Sequence, residues 1–145
     1  MKMKSIAAFY VLLFVLVSTL GCLESNHLSS DFTPTGANTF SVINDSNIVV
    51  FHTCEKEKVN LNLRDKYIVK GNITNIGDKT IFLSEVNVSF YNRNKNLPFS
   101  HKDTTKSVTF IQLKPQQTFN FTLDDTYVLT EDIRYYKINA GYQLL

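Results

Sequence analysis

The 145-residue chain has no Trp, only two Cys (Cys22 and Cys54) and no stretch with a sustained helical period. Each scarcity narrows the options. Without a 3.6-residue repeat of apolar positions, a helix bundle has nothing to pack with. Two cysteines allow at most one intrachain bridge, so no disulfide framework can stand in for a core. No nucleophile elbow, Gly-rich nucleotide fingerprint or HExxH segment is present. The expectation is therefore a non-enzyme with no cofactor. A Ser, His and Asp set assembled only by folding would make an envelope hydrolase, the weakest of the readings.

Net charge is also scarce once the leader is set apart. Lys2 and Lys4 precede an uncharged apolar run, Ile6 to Leu20, in the manner of a secretory signal, helical if retained. That run is shorter than the about 20 apolar residues of a comfortable membrane span. Of the 15 Lys and Arg, two lie in this leader, so 13 basic side chains face 13 acidic ones over the 124 residues that follow. A nucleic-acid partner finds no electrostatic footprint there. A length of 124 residues suits one domain.

After the apolar run comes "STLGC", with Gly21 directly before Cys22. It resembles the lipobox of prokaryotic lipoproteins, with Thr19 and Leu20 departing from the usual residues. The resemblance implies lipid attachment at Cys22, the membrane as a partner, and a place on the outer face of the cytoplasmic membrane or cell surface. Two rival readings stand beside it: a Cys22–Cys54 disulfide in an oxidising compartment, and an uncleaved signal anchor. Residues 22–38, rich in Ser, Thr, Asn, Pro and Gly, read as a tether spanning about 20 to 25 Å as a flexible coil.

From 39 to 145 the signals are those of strands. "TFSVI", "NIVVFHT", "VNLNL", "KYIVKGNITN", "TIFLSEVNVSFYN", "SVTFIQL", "TFNFTL" and "RYYKINAGY" are short β-rich runs between Asn, Asp, Gly and Pro clusters. Such spacing predicts an all-β protein, an immunoglobulin-like β-sandwich of about 7–8 strands. Alternation puts Tyr67, Val69 and Ile73 on one face, and likewise Val86, Val88 and Phe90, and Phe119, Phe121 and Leu123. "NIGDK" and "KPQQ" read as turns, with Gly77 supplying freedom in φ and Pro115 fixing it. "NIGDK" then joins two strands of a central hairpin. The alternating "EKEK" at 55–58 reads as a solvated turn.

"VKGNITNIGDKTIFLSEVNVSFYNRNKNL" and "LKPQQTFNFTL" together resemble the FxLYD-type immunoglobulin-like domain of bacterial and archaeal surface proteins. Phe90, Tyr91 and Asn92 stand near the family's aromatic corner, and Gln116 stands where a turn glycine is usual. The resemblance, over residues 67 to 142, implies a surface-exposed sandwich and brings no catalytic residues.

Candidate sites are few. Asn44, Asn72, Asn87 and Asn120 begin N-x-S/T triplets, the acceptors of N-glycosylation in cells that perform it. His52 and Cys54, two apart in one strand, share a face and could form half of a soft metal site, with His27 and His101 as the remaining histidines. A partly buried histidine beside a core cysteine is the plainer reading. Tyr91, Tyr135 and Tyr136 are candidates for a sugar-binding platform. Adjacent acids Asp124 with Asp125, and Glu131 with Asp132, point apart along an extended chain and read as solvating charges. The sequence thus favours an envelope lipoprotein presenting an immunoglobulin-like module to a protein or glycan partner. An extracytoplasmic metal- or small-solute-binding protein is the alternative.

Overall fold

The computed structural model describes residues 25–36, 40–59, 61, 63–98 and 104–145, with backbone alone over 104–110. Among the described residues nine strands form two antiparallel sheets: β1 Ser25–Ser29, β2 Thr33–Pro34, β3 Ser41–Asn44, β4 Ile48–Val59, β5 Arg64–Asn75, β6 Ile81–Asn92, β7 Thr104–Leu113, β8 Thr118–Val128 and β9 Ile133–Leu144. One sheet runs β1-β9-β6-β7, with β2 also on β9; the other runs β3-β4-β5-β8. The predicted sandwich is therefore present. β4, β5 and β8 correspond to immunoglobulin strands A, B and E, and β6 and β9 to C and F. β1 takes the place beside β9 that strand G normally fills.

The inward faces follow the alternation. Tyr67, Val69, Ile73, Val86, Val88, Phe90, Phe121, Leu123, Ile138 and Tyr142 are buried between the sheets. Phe119 packs at their margin. Each fully buried large side chain contributes about 1.5–3 kcal/mol.

Four expectations need correction. Residues 25–29 and 33–34, expected in a tether, are strands paired to β9. Their alternating half-exposed pattern is too weak to read as a strand before β9 is there to pair with. The described residues of "VNLNL" form no strand of their own: β4 ends at Val59, and Leu61 has a left-handed φ of 53°. "EKEK" is not a turn but the last part of β4, where diagonal cross-strand ion pairs hold it. Glu55 meets Lys70 at 2.6 Å and Lys56 meets Asp65.

The fourth correction concerns the two turns. β5 and β6 lie in different sheets, as do β7 and β8, so "NIGDK" and "KPQQ" are corners between layers rather than hairpins. Asn75, fully buried, ties them together. Its Nδ2 donates to the carbonyls of Lys79 and Leu113, both at 2.8 Å, and its Oδ1 accepts from the Gly77 amide. Its own backbone bonds Gln116 and Gln117 across the corner. Gly77 does not have positive φ; a Cβ there would stand 3.2 Å from Asn47 Oδ1, so close packing is what keeps it small. Gln116, by contrast, sits at φ 67°, the left-handed place that glycine would fill most easily in this turn.

Candidate functional site

His52 and Cys54 point inward from β4, both buried. His52 Nδ1 lies 2.9 Å from the Tyr136 hydroxyl, the rings meeting edge to face, while Nε2 has no partner. Burial lowers the His52 pKa to about 4, because an imidazolium there would lose its hydration. The Cys54 thiol is pushed up to about 12, chiefly by burial. A neutral ring and a protonated thiol are the groups of a core. Among the described residues no three of His, Cys, Asp and Glu gather where a metal could sit. His27 lies elsewhere, 4.0 Å from Glu85, and His101 is outside the described residues.

Cys22 and the leader 1–21 also lie outside the described residues. Cys54 is a free cysteine, buried in the core.

Of the three candidate tyrosines, two share a surface. Tyr91 and Tyr135 are cross-strand partners on the outer face of the β1-β9-β6-β7 sheet. Tyr136, the next residue along, is buried and belongs to His52, because period two turns it inward. Phe32 takes its place. Its ring meets Tyr91 edge-on at 4.9 Å and Tyr135 at 6.2 Å. Lys137 Nζ lies 4.5 Å from the Phe32 ring centre and Lys95 Nζ 5.1 Å, with Lys95 also 5.8 Å from Tyr135. Cations over aromatic faces make this a basic, half-buried aromatic cluster. Phe32 sits in "SSDFTPT", where no periodic pattern marks it; a lone aromatic in a polar segment was the only available signal.

Three of the N-x-S/T asparagines, Asn44, Asn72 and Asn120, face outward from the other sheet. Asn72 and Asn120 are direct cross-strand partners about 5 Å apart, so glycans on both would compete for one space. Asn87 faces outward from β6, opposite Asn139, but its Oδ1 is buried with no partner, so its side chain lies down on the sheet.

Asp124 and Asp125 lie in β8 and separate, whereas Glu131 and Asp132 are not in extended chain: Glu131 ends a 3-10 turn and Asp132 has a left-handed φ of 45°. Asp124 bonds Lys66 at 2.8 Å, while Asp125 Oδ1 accepts from the Thr126 amide. Asp132 holds Arg134 at 2.7 Å and Arg93 at 3.1 Å.

Sequence reasoning missed a cleft at this end of the sandwich. It has a volume of about 160 Å³ and is bordered by Lys56, Asp65, Tyr67, Leu129, Asp132 and Arg134. Burial raises the Tyr67 pKa, and its hydroxyl donates to the Ile133 carbonyl at 3.4 Å. The hydrogen bond to Asp65 raises the Lys56 pKa and keeps it a cation. No sequence pattern could have found this cleft, since its walls come from β4, β5, the end of β8, the segment after it and the start of β9.

No family model matches the chain, and no curated protein matches it. Among solved structures it is similar to the trimeric lipoprotein SadB of Salmonella enterica, with a TM-score of 0.43 and 13% identity over 94% of this chain and 71% of that one. It is also similar to the major envelope protein VP24 of white spot syndrome virus, with a TM-score of 0.39 and 10% identity over 84% of this chain and 90% of that one. At these values the similarity assigns neither family nor role.

Proposed function

We propose that the protein is a non-catalytic cell-envelope lipoprotein, held at the outer face of the membrane by lipid on Cys22, that presents one end of an immunoglobulin-like sandwich to a partner. The observation that carries this reading is the register of β1. Ser25 opposite Gln143 brings the chain in at the end where the Asn75 corner closes the sandwich. The aromatic–lysine cluster lies near the other end of β9, at Tyr135. A 12-residue strand is about 40 Å long, so an anchor three residues before Ser25 holds the closed end to the membrane and turns the opposite end outward.

The resemblance to the FxLYD-type domain belongs to the same reading, as does the placing of Asn44, Asn72 and Asn120. Glycans on those three would clothe the β3-β4-β5-β8 face and leave Phe32, Tyr91 and Tyr135 clear. The partner would be an envelope protein or glycan that meets aromatic rings and ammonium groups together. The test is Cys22→Ser with fractionation of the producing cells and mass measurement of the mature chain. The expected result is loss of the lipid mass and transfer from the membrane to the soluble fraction. Unchanged membrane retention overturns the lipid anchor.

A further inference from the structure

We infer that β8 is an interface between two copies of this chain, which pair antiparallel along Thr118–Asp124 about a two-fold axis through Phe121. β8 ends its sheet, with β5 on one side and no strand on the other among the described residues. The Asn75 amide donates to the Gln117 carbonyl at 3.0 Å, and from there Thr74 to Arg64 run opposite Thr118 to Val128 without a break. Backbone bonding alternates along such a ladder. Phe119, Phe121, Leu123, Asp125 and Tyr127 therefore turn their N–H and C=O groups toward β5. Thr118, Asn120, Thr122 and Asp124, all exposed, turn theirs to the open side.

Two stops bound this open stretch. At one end the Thr126 amide is already taken by Asp125 Oδ1 at 2.7 Å. At the other, Pro115 and Gln116, with φ 67°, turn the chain into the other sheet. Gln116 and Thr126 stand at equal distances along the chain from Phe121, so what lies between them is centred on that residue. Other edges carry features that discourage pairing. β1 and β3 are only five and four residues long, and β7 breaks register against β6 between Leu83 and Glu85. Beyond the reach of β3, β4 carries the alternating charges of Glu55 to Lys58. From Thr118 to Leu123, β8 has no Pro, Gly, charge or bulge.

A second copy is the occupant because the stretch is complementary to itself. Rotation about Phe121 sets Thr118 opposite Asp124 and Asn120 opposite Thr122, each with its open N–H and C=O facing the other. Four such pairs form, each exchanging two hydrogen bonds. On the inner side Phe121 meets its own copy, and Phe119, at the margin of the core, meets Leu123. Apolar cross-strand pairs of this kind favour association. No acid opposes an acid: Asp124, which bonds Lys66 of its own chain, meets a threonine. The inference rests on neither the anchor nor the Phe32 cluster.

The experiment is sedimentation equilibrium of the full chain, under reducing conditions, in micelles of a density-matched detergent across the micromolar range. A reversible equilibrium of monomer and dimer is expected. Thr122→Pro removes an amide that faces the open side and bonds nothing in β5, and is expected to leave monomer with its strand signal in circular dichroism intact. Thr118, exposed, tests the same edge without touching the backbone. Thr118→Glu places an acid opposite Asp124 of the other copy and is expected to weaken the dimer about fivefold; Thr118→Lys is expected to strengthen it by about the same factor. Monomer at every concentration overturns the inference, and a trimer or larger assembly overturns the two-fold pairing. A folded Thr122→Pro that still dimerises overturns the location, and equal behaviour of the two Thr118 variants overturns the register.

Discussion

The two ends of the sandwich treat buried polar groups in opposite ways. At the corner end, Asn75 uses both amide protons and its carbonyl oxygen. Nearby, Asp45 Oδ1 accepts from the amides of Asn47 and Ile48, and its Oδ2 takes the Tyr142 hydroxyl at 2.6 Å. The Tyr142 pKa is accordingly pushed up to about 12, first by burial and then by that carboxylate. At the far end, Asp65 keeps an unpartnered oxygen beside a cleft, and Leu129 and Val128 are exposed around it. Satisfied networks fix a single arrangement, and an unsatisfied group constrains its surroundings less. The corner end is closed by hydrogen bonds, and the far end leaves one carboxylate oxygen without a partner.

The largest effect should fall on the corner. Asn75→Ala removes two donors and an acceptor from a fully buried position and leaves the Leu113 carbonyl unpaired. A loss of about 3 kcal/mol is expected, read from urea unfolding midpoints at constant slope. A loss below about 1 kcal/mol would break the contrast between the ends.

Midway between them, His52 supplies a pH dependence of intermediate size. Its folded pKa of about 4 lies below the ordinary 6.5, so the unfolded chain binds more protons across that window. The stabilisation is complete above pH 6.5 and is lost as pH falls toward 4, about 3 kcal/mol in all. Unfolding measured at pH 7 and pH 4.5 should show it. The double variant His52→Phe with Tyr136→Phe should flatten this part of the acid limb while the carboxylate contribution persists.

The smallest effect is expected at the far end. Asp65→Asn keeps the side-chain volume and frees Lys56, whose side chain is 41% exposed and can turn to water. A change of about 1 kcal/mol or less is expected in the same unfolding assay. A cost equal to that of Asn75→Ala would make the far end as structural as the corner and erase the distinction.

Much of the fold could be read locally because an extended chain must alternate its side chains. Val86, Val88 and Phe90 turned inward, and Asn120 and Thr122 outward, as that period demands. Tyr136 shows the limit of the method. Two adjacent tyrosines look alike in sequence, yet the alternation sends Tyr135 to the surface and Tyr136 to His52. β1 and β2 were hidden for a different reason. Their residues have little strand preference of their own, and β9 supplies the hydrogen bonds that order them. The same dependence on partners explains "EKEK", whose first two charges, Glu55 and Lys56, pair across to Lys70 and Asp65 from within a strand.

"NIGDK" marks the boundary between the two kinds of knowledge. The sequence by itself determined that the chain reverses there, that strands flank it, and which side chains each strand would bury, since these follow from backbone sterics and a two-residue period. Only the tertiary structure decided that the reversal is a corner between sheets, because a turn does not encode which strand its successor will pair with. Tertiary packing alone also brought Leu113, Gln116 and Gln117 to Asn75 and left Asp65 with one oxygen unpartnered. Those outcomes depend on groups distant along the chain, and distance along the chain carries no local signal.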